Sequence, residues 1–367
     1  MELQVTQENF TRALSNVSRV ATNKAQLPIL ENILLRTDNS RLLVAATNLE
    51  IASSNYIGAK VVKDGAITIP ARLITEFVSN LPKEQISLKV EDNHLKITCG
   101  HYSSTINGMI ADEFPELPII DEKTSVKYIV ASEDFKKAVS QTMVTSSSDS
   151  TRPVLTGVYW HSHDGGLYLA ATDGYRLSEK YVTETKNELS AIIPSSSLQE
   201  VLRTINDEVE EIELLFNDTQ VHFKLNETEI TSRLIDGVFP DYRQLIPVKS
   251  ETEIIVKKDD FVRITKIASL FARESGGSVT LNASHETNIL SVHSIASELG
   301  ENTSEAEAIS VSEDGVVTLN SRYLNEALSV LDGNEVTFRF SGKLSPCVLT
   351  DGSKKATYKH IIMPLKS

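Results

Sequence analysis

The chain repeats itself at domain scale, and any fold it adopts has to accommodate that. Leu169-Ala170-Ala171-Thr172-Asp173-Gly174 near the middle echoes Val44-Ala45-Ala46-Thr47-Asn48-Leu49, 125 residues earlier. A period this long is far above that of a solenoid unit, so each copy must bury a core of its own. An amphipathic helix is predicted to open each copy. Its apolar faces are Phe10, Ala13, Leu14 and Val17; then Phe135, Ala138, Val139 and Met143; then Phe261, Ile264, Ala268 and Phe271. The leading phenylalanines stand 125 and 126 residues apart, and Thr6 and Ser132 are placed to cap the first two helices.

A second helix is predicted later in each copy. Thr68-Ile69-Pro70-Ala71 leads into Leu73, Ile74, Phe77, Val78 and Leu81, with Pro70 and Pro194 suited to an initial turn. Leu198, Val201, Leu202 and Ile205 form the second such face, and Leu324, Ala327, Leu328 and Leu331 the third. Leu73, Leu198 and Leu324 keep the 125 and 126 spacing. Alternating segments such as Ile86–Val90, Ile212–Phe216 and Val336–Phe340 read as strands, punctuated by Asp-Gly turns. Each copy closes on a proline: Pro115, Pro240 and Pro364. The expected fold is α+β, three similar tandem domains with boundaries near Thr124 and Lys249 (1–124, 125–249 and 250–367). Three duplicated domains with no joint geometry remain the plainer alternative.

Among 367 residues no apolar run approaches transmembrane length and no charged-then-apolar leader opens the chain, so a soluble, cytoplasmic protein is expected. Cys99 and Cys347 are the only cysteines, which favours reduced thiols over a disulfide. The net charge of −14 argues against a nucleic-acid partner on its face. The charge is uneven, however. The windows 8–24, 72–83 and 257–273 carry +2, +1 and +3, the other three helical windows balance, and the rest of the chain carries −20. Helices with mixed solvated charge explain this; so does one helix-bearing surface that meets a polyanion through a few phosphate contacts.

The segment His161-Ser162-His163-Asp164 places two histidines on one strand face, the best enzyme-like feature, yet it runs into Gly165-Gly166 with no other His or Cys cluster to complete a metal site. No Gly-rich phosphate loop of the Gly-Lys-Ser/Thr type is present.

Together Leu27-Pro28-Ile29-Leu30, Thr68-Ile69-Pro70-Ala71-Arg72, Ala171–Leu177, Asp236–Tyr242 and the final Met363-Pro364-Leu365 make the chain resemble the bacterial sliding-clamp family, the beta subunits of DNA polymerase III. The resemblance spans essentially the whole sequence. It implies a DNA-clamp fold in which a head-to-tail homodimer closes a ring of six domains, with two helices per domain inside and antiparallel sheets outside. Such a ring encircles double-stranded DNA without sequence preference, confers processivity, makes no bonds itself, and needs no cofactor, metal or membrane. The implied partners are the replicative polymerase's catalytic subunit, a separate clamp loader and other proteins with clamp-binding motifs. An ordinary non-ring DNA-binding or scaffold protein is the alternative.

The resemblance also implies sites. A partner-peptide groove matches Arg152, Leu155, Thr172, Gly174, Tyr175, Arg176 and Leu177 in the central domain. Pro240, Leu245, Asn320, Tyr323, Leu344, Pro346, Ile361, Met363, Pro364 and Leu365 complete it, the apolar ones as a floor and Arg152 and Arg176 as a rim. Each partner side chain buried there gains roughly 1.5–3 kcal/mol, and two such anchors suit exchangeable micromolar docking. Tyr175 stands where the family often has histidine, and Pro153 and Val154 where some relatives carry base-stacking aromatics. Lys24 matches a DNA-facing loop, with Arg72, Arg203 and Lys266 further DNA candidates from their helices. Ile106 on an edge strand, with Leu270 and Phe271, are candidates for subunit closure; the last two suit their own domain's core equally well.

Overall fold

The structure, a computed structural model, describes residues 1–21, 27–298, 300–353 and 355–366. Among the described residues six helices recur in pairs: α1 (Gln7–Val17), α2 (Ala71–Ser79), α3 (Ser132–Met143), α4 (Ser195–Thr204), α5 (Lys258–Phe271) and α6 (Ser321–Val330). Every strand pairing among the described residues is antiparallel, which hairpins and short turns permit. The repeat is visible strand by strand. Asn32–Asp38, Arg41–Thr47 and Ile51–Gly58 recur as Gly157–His163, Gly166–Thr172 and Arg176–Glu184, each 125 residues on.

Compactness divides the chain differently from the repeat. One unit holds Met1–Glu133 and Ser196–Leu234, the other Asp134–Ser195 and Ile235–Ser367. The reason is that sheets run on from one copy into the next. In the first unit an eight-stranded sheet joins Ile51–Gly58 to Thr228–Arg233, setting Ala52 opposite Thr231. In the second, a twelve-stranded sheet joins Arg176–Glu184 to Tyr358–Ile362, setting Leu177 opposite Ile361. A five-stranded sheet in the first unit ends at the edge strand Tyr102–Asn107.

The expected helix faces are buried: Phe10, Ala13, Leu14, Val17, Phe135, Ala138, Val139, Phe261, Ile264 and Ala268. In the first unit α1 packs on α2 and on Ile51–Gly58. In the second, α5 packs on α6, and Phe261, Phe338 and Phe340 stack successively at 5.9 and 5.2 Å.

Several local expectations are corrected. Leu73 is exposed, and Ile74 takes the buried place held by Leu198 and Leu324, so the second helices are offset by 124 rather than 125 residues. Met143 is only half-buried, with Gln141 and Thr142 turned inward. Thr6 occupies the N-cap of α1 but its side chain makes no capping bond. Pro70 and Pro194 end strands instead of starting helices, Pro70 as the N-cap of α2. The charge argument weakens too. Arg19, Lys83, Lys257 and Arg273 lie outside the helices and Lys24 outside the described residues, so the six described helices carry only +1.

Candidate functional site

The second unit gathers the groove candidates around the junction of Arg176–Glu184 with Tyr358–Ile362. The turn before that junction is built by its own side chains. The Asp173 carboxylate accepts from the backbone N–H of Tyr175 and Arg176 at 2.9 and 3.0 Å. The Thr172 hydroxyl donates to the Arg176 carbonyl at 2.6 Å and accepts from the Gly174 N–H at 3.1 Å. Gly174 sits at φ +92°, a conformation that favours glycine. Tyr175 is thereby pushed outward and is 62% exposed.

Beneath the turn lies a compact apolar cluster. Leu155, Leu177 and Ile361 pack there with Ala170, Phe239, Tyr242 and Val348, all buried. A 3-10 turn, Pro153–Leu155, delivers Leu155, its proline supplying the fixed φ such a turn needs. The anticipated floor residues Leu155, Leu177 and Ile361 are therefore buried, and the exposed apolar residues nearby are Tyr175, Pro240, Leu245 and Leu344. Pro346, Met363, Pro364 and Leu365 are half-buried. The C-terminal segment is strung across the site by two backbone bonds: the Met363 N–H donates to the Tyr175 carbonyl at 2.9 Å and the Leu365 N–H to the Thr318 carbonyl at 2.8 Å.

The two rim arginines differ. Arg152 is half-exposed and lies 3.5 Å from Asp149. Arg176 is not a rim charge: it is 8% exposed, donates to Asp173 at 3.0 Å, pairs with Glu326 of α6, and lies 4.5 Å over the Tyr323 ring. It braces the central strand against α6, a role its place in the sequence does not reveal. Asn320 caps α6, accepting from the Arg322 N–H at 2.9 Å. Sequence reasoning missed Phe239, Tyr242 and Val348 as members of the cluster. Phe239 and Tyr242 carried a signal as the aromatic pair flanking Pro240-Asp241; Val348 carried none.

The other candidates are scattered. Lys24 lies outside the described residues. Arg72 is exposed on α2 and bonded to Glu76 at 2.9 Å, a pairing that raises the pKa of its guanidinium. Arg203 on α4 pairs with Glu200, and Lys266 on α5 is exposed. Ile106 does lie on an edge strand, but its side chain is 4% exposed and faces its own unit's core. That strand therefore offers its backbone and residues such as Tyr102, not an isoleucine. Leu270 is 53% exposed and Phe271 half-buried; with exposed Ile267 one turn earlier, Leu270 makes an apolar stripe opposite the buried face of α5. His161 is spoken for by a bond to Tyr242 at 2.8 Å, while His163 pairs with Asp164 at 3.1 Å. Among the described residues no cluster of three or more metal-ligating side chains forms, and no helix is long and apolar enough to cross a membrane.

Comparison with known proteins covers the chain in three parts. Residues 1–118, 129–241 and 243–366 match the N-terminal, central and C-terminal domains of the DNA polymerase III beta subunit. The chain is 30% identical to the beta sliding clamp of Synechococcus elongatus over 100% of this chain and 99% of that one. It is 28% identical to that of Bacillus subtilis, with both chains fully covered. Among solved structures, the Bacillus subtilis DNA polymerase sliding clamp superposes with a TM-score of 0.95 at 27% identity, covering 100% of this chain and 99% of that chain. A Bartonella birtlesii sliding clamp bound to griselimycin superposes at 0.93 and 27%, with both chains fully covered.

Proposed function

The chain belongs to the DNA polymerase III beta subunit family, the beta sliding clamps, and from that premise we propose that it closes head to tail with a second copy into a ring around duplex DNA. The observation that carries this reading is an unfinished junction. Twice within the chain a strand from one copy of the repeat completes the sheet of its predecessor, at Ala52 opposite Thr231 and at Leu177 opposite Ile361. The third copy offers the matching edge in Gly300–Val311, whose residues Glu301–Glu307 pair on one side only among the described residues. The first copy offers the complementary edge, Tyr102–Asn107. Carrying the internal register over sets Thr105 of one chain opposite Glu301 of the other. Open edges seek partners, and closure removes them.

In this reading the domains are 1–124, 125–249 and 250–367. The protein is a non-catalytic processivity subunit acting in the cytoplasm, where polymerase, clamp loader and other motif-bearing proteins take turns at the groove described above. DNA contact comes from cations such as Arg72, Arg203, Lys266 and Lys24, and is weak by design of charge.

Sedimentation velocity tests the closure. Wild type should run at twice the 40.5 kDa chain mass. Leu270→Ala with Phe271→Ala, which removes the exposed Leu270 of the α5 stripe and the half-buried Phe271 beside it, should run at the single-chain mass. A monomeric wild type, or a double variant that stays dimeric, would reject the closure or the stripe's part in it.

A further inference from the structure

The stretch from Asp236 to Leu245 runs across the face of the groove with most of its residues exposed, and only two of them, Phe239 and Tyr242, are buried. Phe239 stacks on Tyr159 at 4.8 Å with the rings 13° apart. Tyr242 reaches further. Its hydroxyl donates to Glu179 at 2.8 Å and is bonded to His161 Nε2, also at 2.8 Å. A carboxylate only accepts, so the hydroxyl's proton goes to Glu179 and its oxygen accepts from His161. Glu179 is 3% exposed, and its charge is balanced by Arg243 and Lys359, each 3.2 Å away. Arg243 also lies 4.5 Å over the Tyr168 ring. One linker residue is thus fastened to strands Gly157–His163 and Arg176–Glu184 through a single hydroxyl.

We propose that Tyr242 is the positioning residue of the groove: its hydroxyl, clasped by Glu179 and His161, holds Pro240 and Leu245 in the place where they wall the peptide site. The inference rests on the groove reading above. A buried hydrogen-bonded carboxylate is a strong and directional anchor, and burial raises the Tyr242 pKa so that the hydroxyl keeps its proton. A ring alone, packed among Leu155, Leu177 and Val348, would keep the fold but let the segment slide. The 3-10 turn Arg243–Leu245 follows at once, closed by the Leu245 N–H donating to the Tyr242 carbonyl at 2.9 Å. Where Tyr242 goes, Leu245 goes. If the wall is held in place only part of the time, the apparent affinity falls by that fraction.

The test compares wild type with Tyr242→Phe, using a fluorescein-labelled hexapeptide that carries one leucine and one phenylalanine. Affinity is read by anisotropy and backbone exchange by deuterium uptake of residues 239–246. Wild type should bind. Tyr242→Phe should bind about tenfold more weakly, take up deuterium faster in 239–246, and leave uptake in 176–184 and 358–362 unchanged. Glu179→Gln keeps an acceptor for the hydroxyl and should show both effects in smaller measure; it serves if Tyr242→Phe does not fold. Equal affinity of variant and wild type, or unchanged uptake in 239–246, overturns the assignment while leaving the groove in place. A wild type that does not bind the peptide overturns the groove and this inference together.

Discussion

Leu177 is 3% exposed and stands directly opposite Ile361 where one repeat's sheet meets the next. Its side chain belongs at once to the junction and to the layer on which a docked peptide would rest. Truncation should therefore register twice. Leu177→Ala is expected to lower stability by about 2–5 kcal/mol, as for other buried leucines, and to abolish peptide binding by calorimetry while the dimer persists. Retained peptide affinity would place the site elsewhere. The buried histidines make a separate demand. Burial, then the Arg243 guanidinium, lowers the pKa of His161 from 6.5 to about 4. Burial, then Arg176, takes His360 to about 3. The folded protein keeps both neutral at mildly acid pH, whereas the unfolded chain protonates them below 6.5. Acid therefore favours unfolding, by up to about 1.4 kcal/mol per pH unit for each histidine. The thermal midpoint should be flat above about pH 7 and fall between about pH 6.5 and 5, before carboxylates begin to titrate. A midpoint that holds steady across that interval would mean these side chains are charged in the folded state.

At the scale of elements, the same sheet junction has been given different surfaces. Its equivalent cross-strand pairs are Ala52 with Thr231 and Leu177 with Ile361, and the proposed third is Thr105 with Glu301. Only the second is wholly aliphatic with two large side chains, which is why the proposed groove is placed at that junction and not at the other. The C-terminal segment lies beside that junction, bonded to Tyr175 and Thr318. Removing Met363 to Ser367 deletes the bonds to Tyr175 and Thr318 but no strand, because the last strand ends at Ile362. The truncated protein is expected to melt within a few degrees of wild type and to show no peptide binding by anisotropy. Much of this level was legible in the sequence. The three leading phenylalanines located the first helices because a period of 3.6 with a large apolar residue is a local signal. The one-residue slip at Leu73 was not legible, since two adjacent apolar residues, Leu73 and Ile74, fit a helical face equally well until the sheet fixes the register. The proposed groove rests on family resemblance, because residue spacing gives no hint of it. Leu177 and Ile361 meet through long-range strand pairing, and nothing local in either segment announces the other. The inward turn of Arg176 depends on Glu326 and Tyr323 in another repeat, and so was misread as rim.

For the whole molecule, charge decides how DNA could be held. The chain carries −14 and its six helices together only +1, and Arg72, Arg203 and Arg263 are each bonded to a neighbouring carboxylate. A protein that neutralises only a few phosphates releases few counterions. Its affinity is then low at any salt, and each contact that it does make adds only about 0.9 to the log–log slope with which salt weakens it. Enclosure avoids that dependence, because a closed hoop cannot leave an endless duplex whatever its affinity. Two junctions inside each chain and two between the chains would supply such a hoop when the proposed edges meet. The protein loaded on a nicked circular plasmid should therefore remain bound through gel filtration at about 0.2 M salt, where few phosphate contacts survive, and should be lost when a restriction enzyme linearises the same plasmid. Blocking both ends of the linear DNA with a bulky bound protein should restore retention, since ends are the only exits. Equal retention on circular and open linear DNA would mean that contact rather than topology holds the protein, and the ring reading would fall.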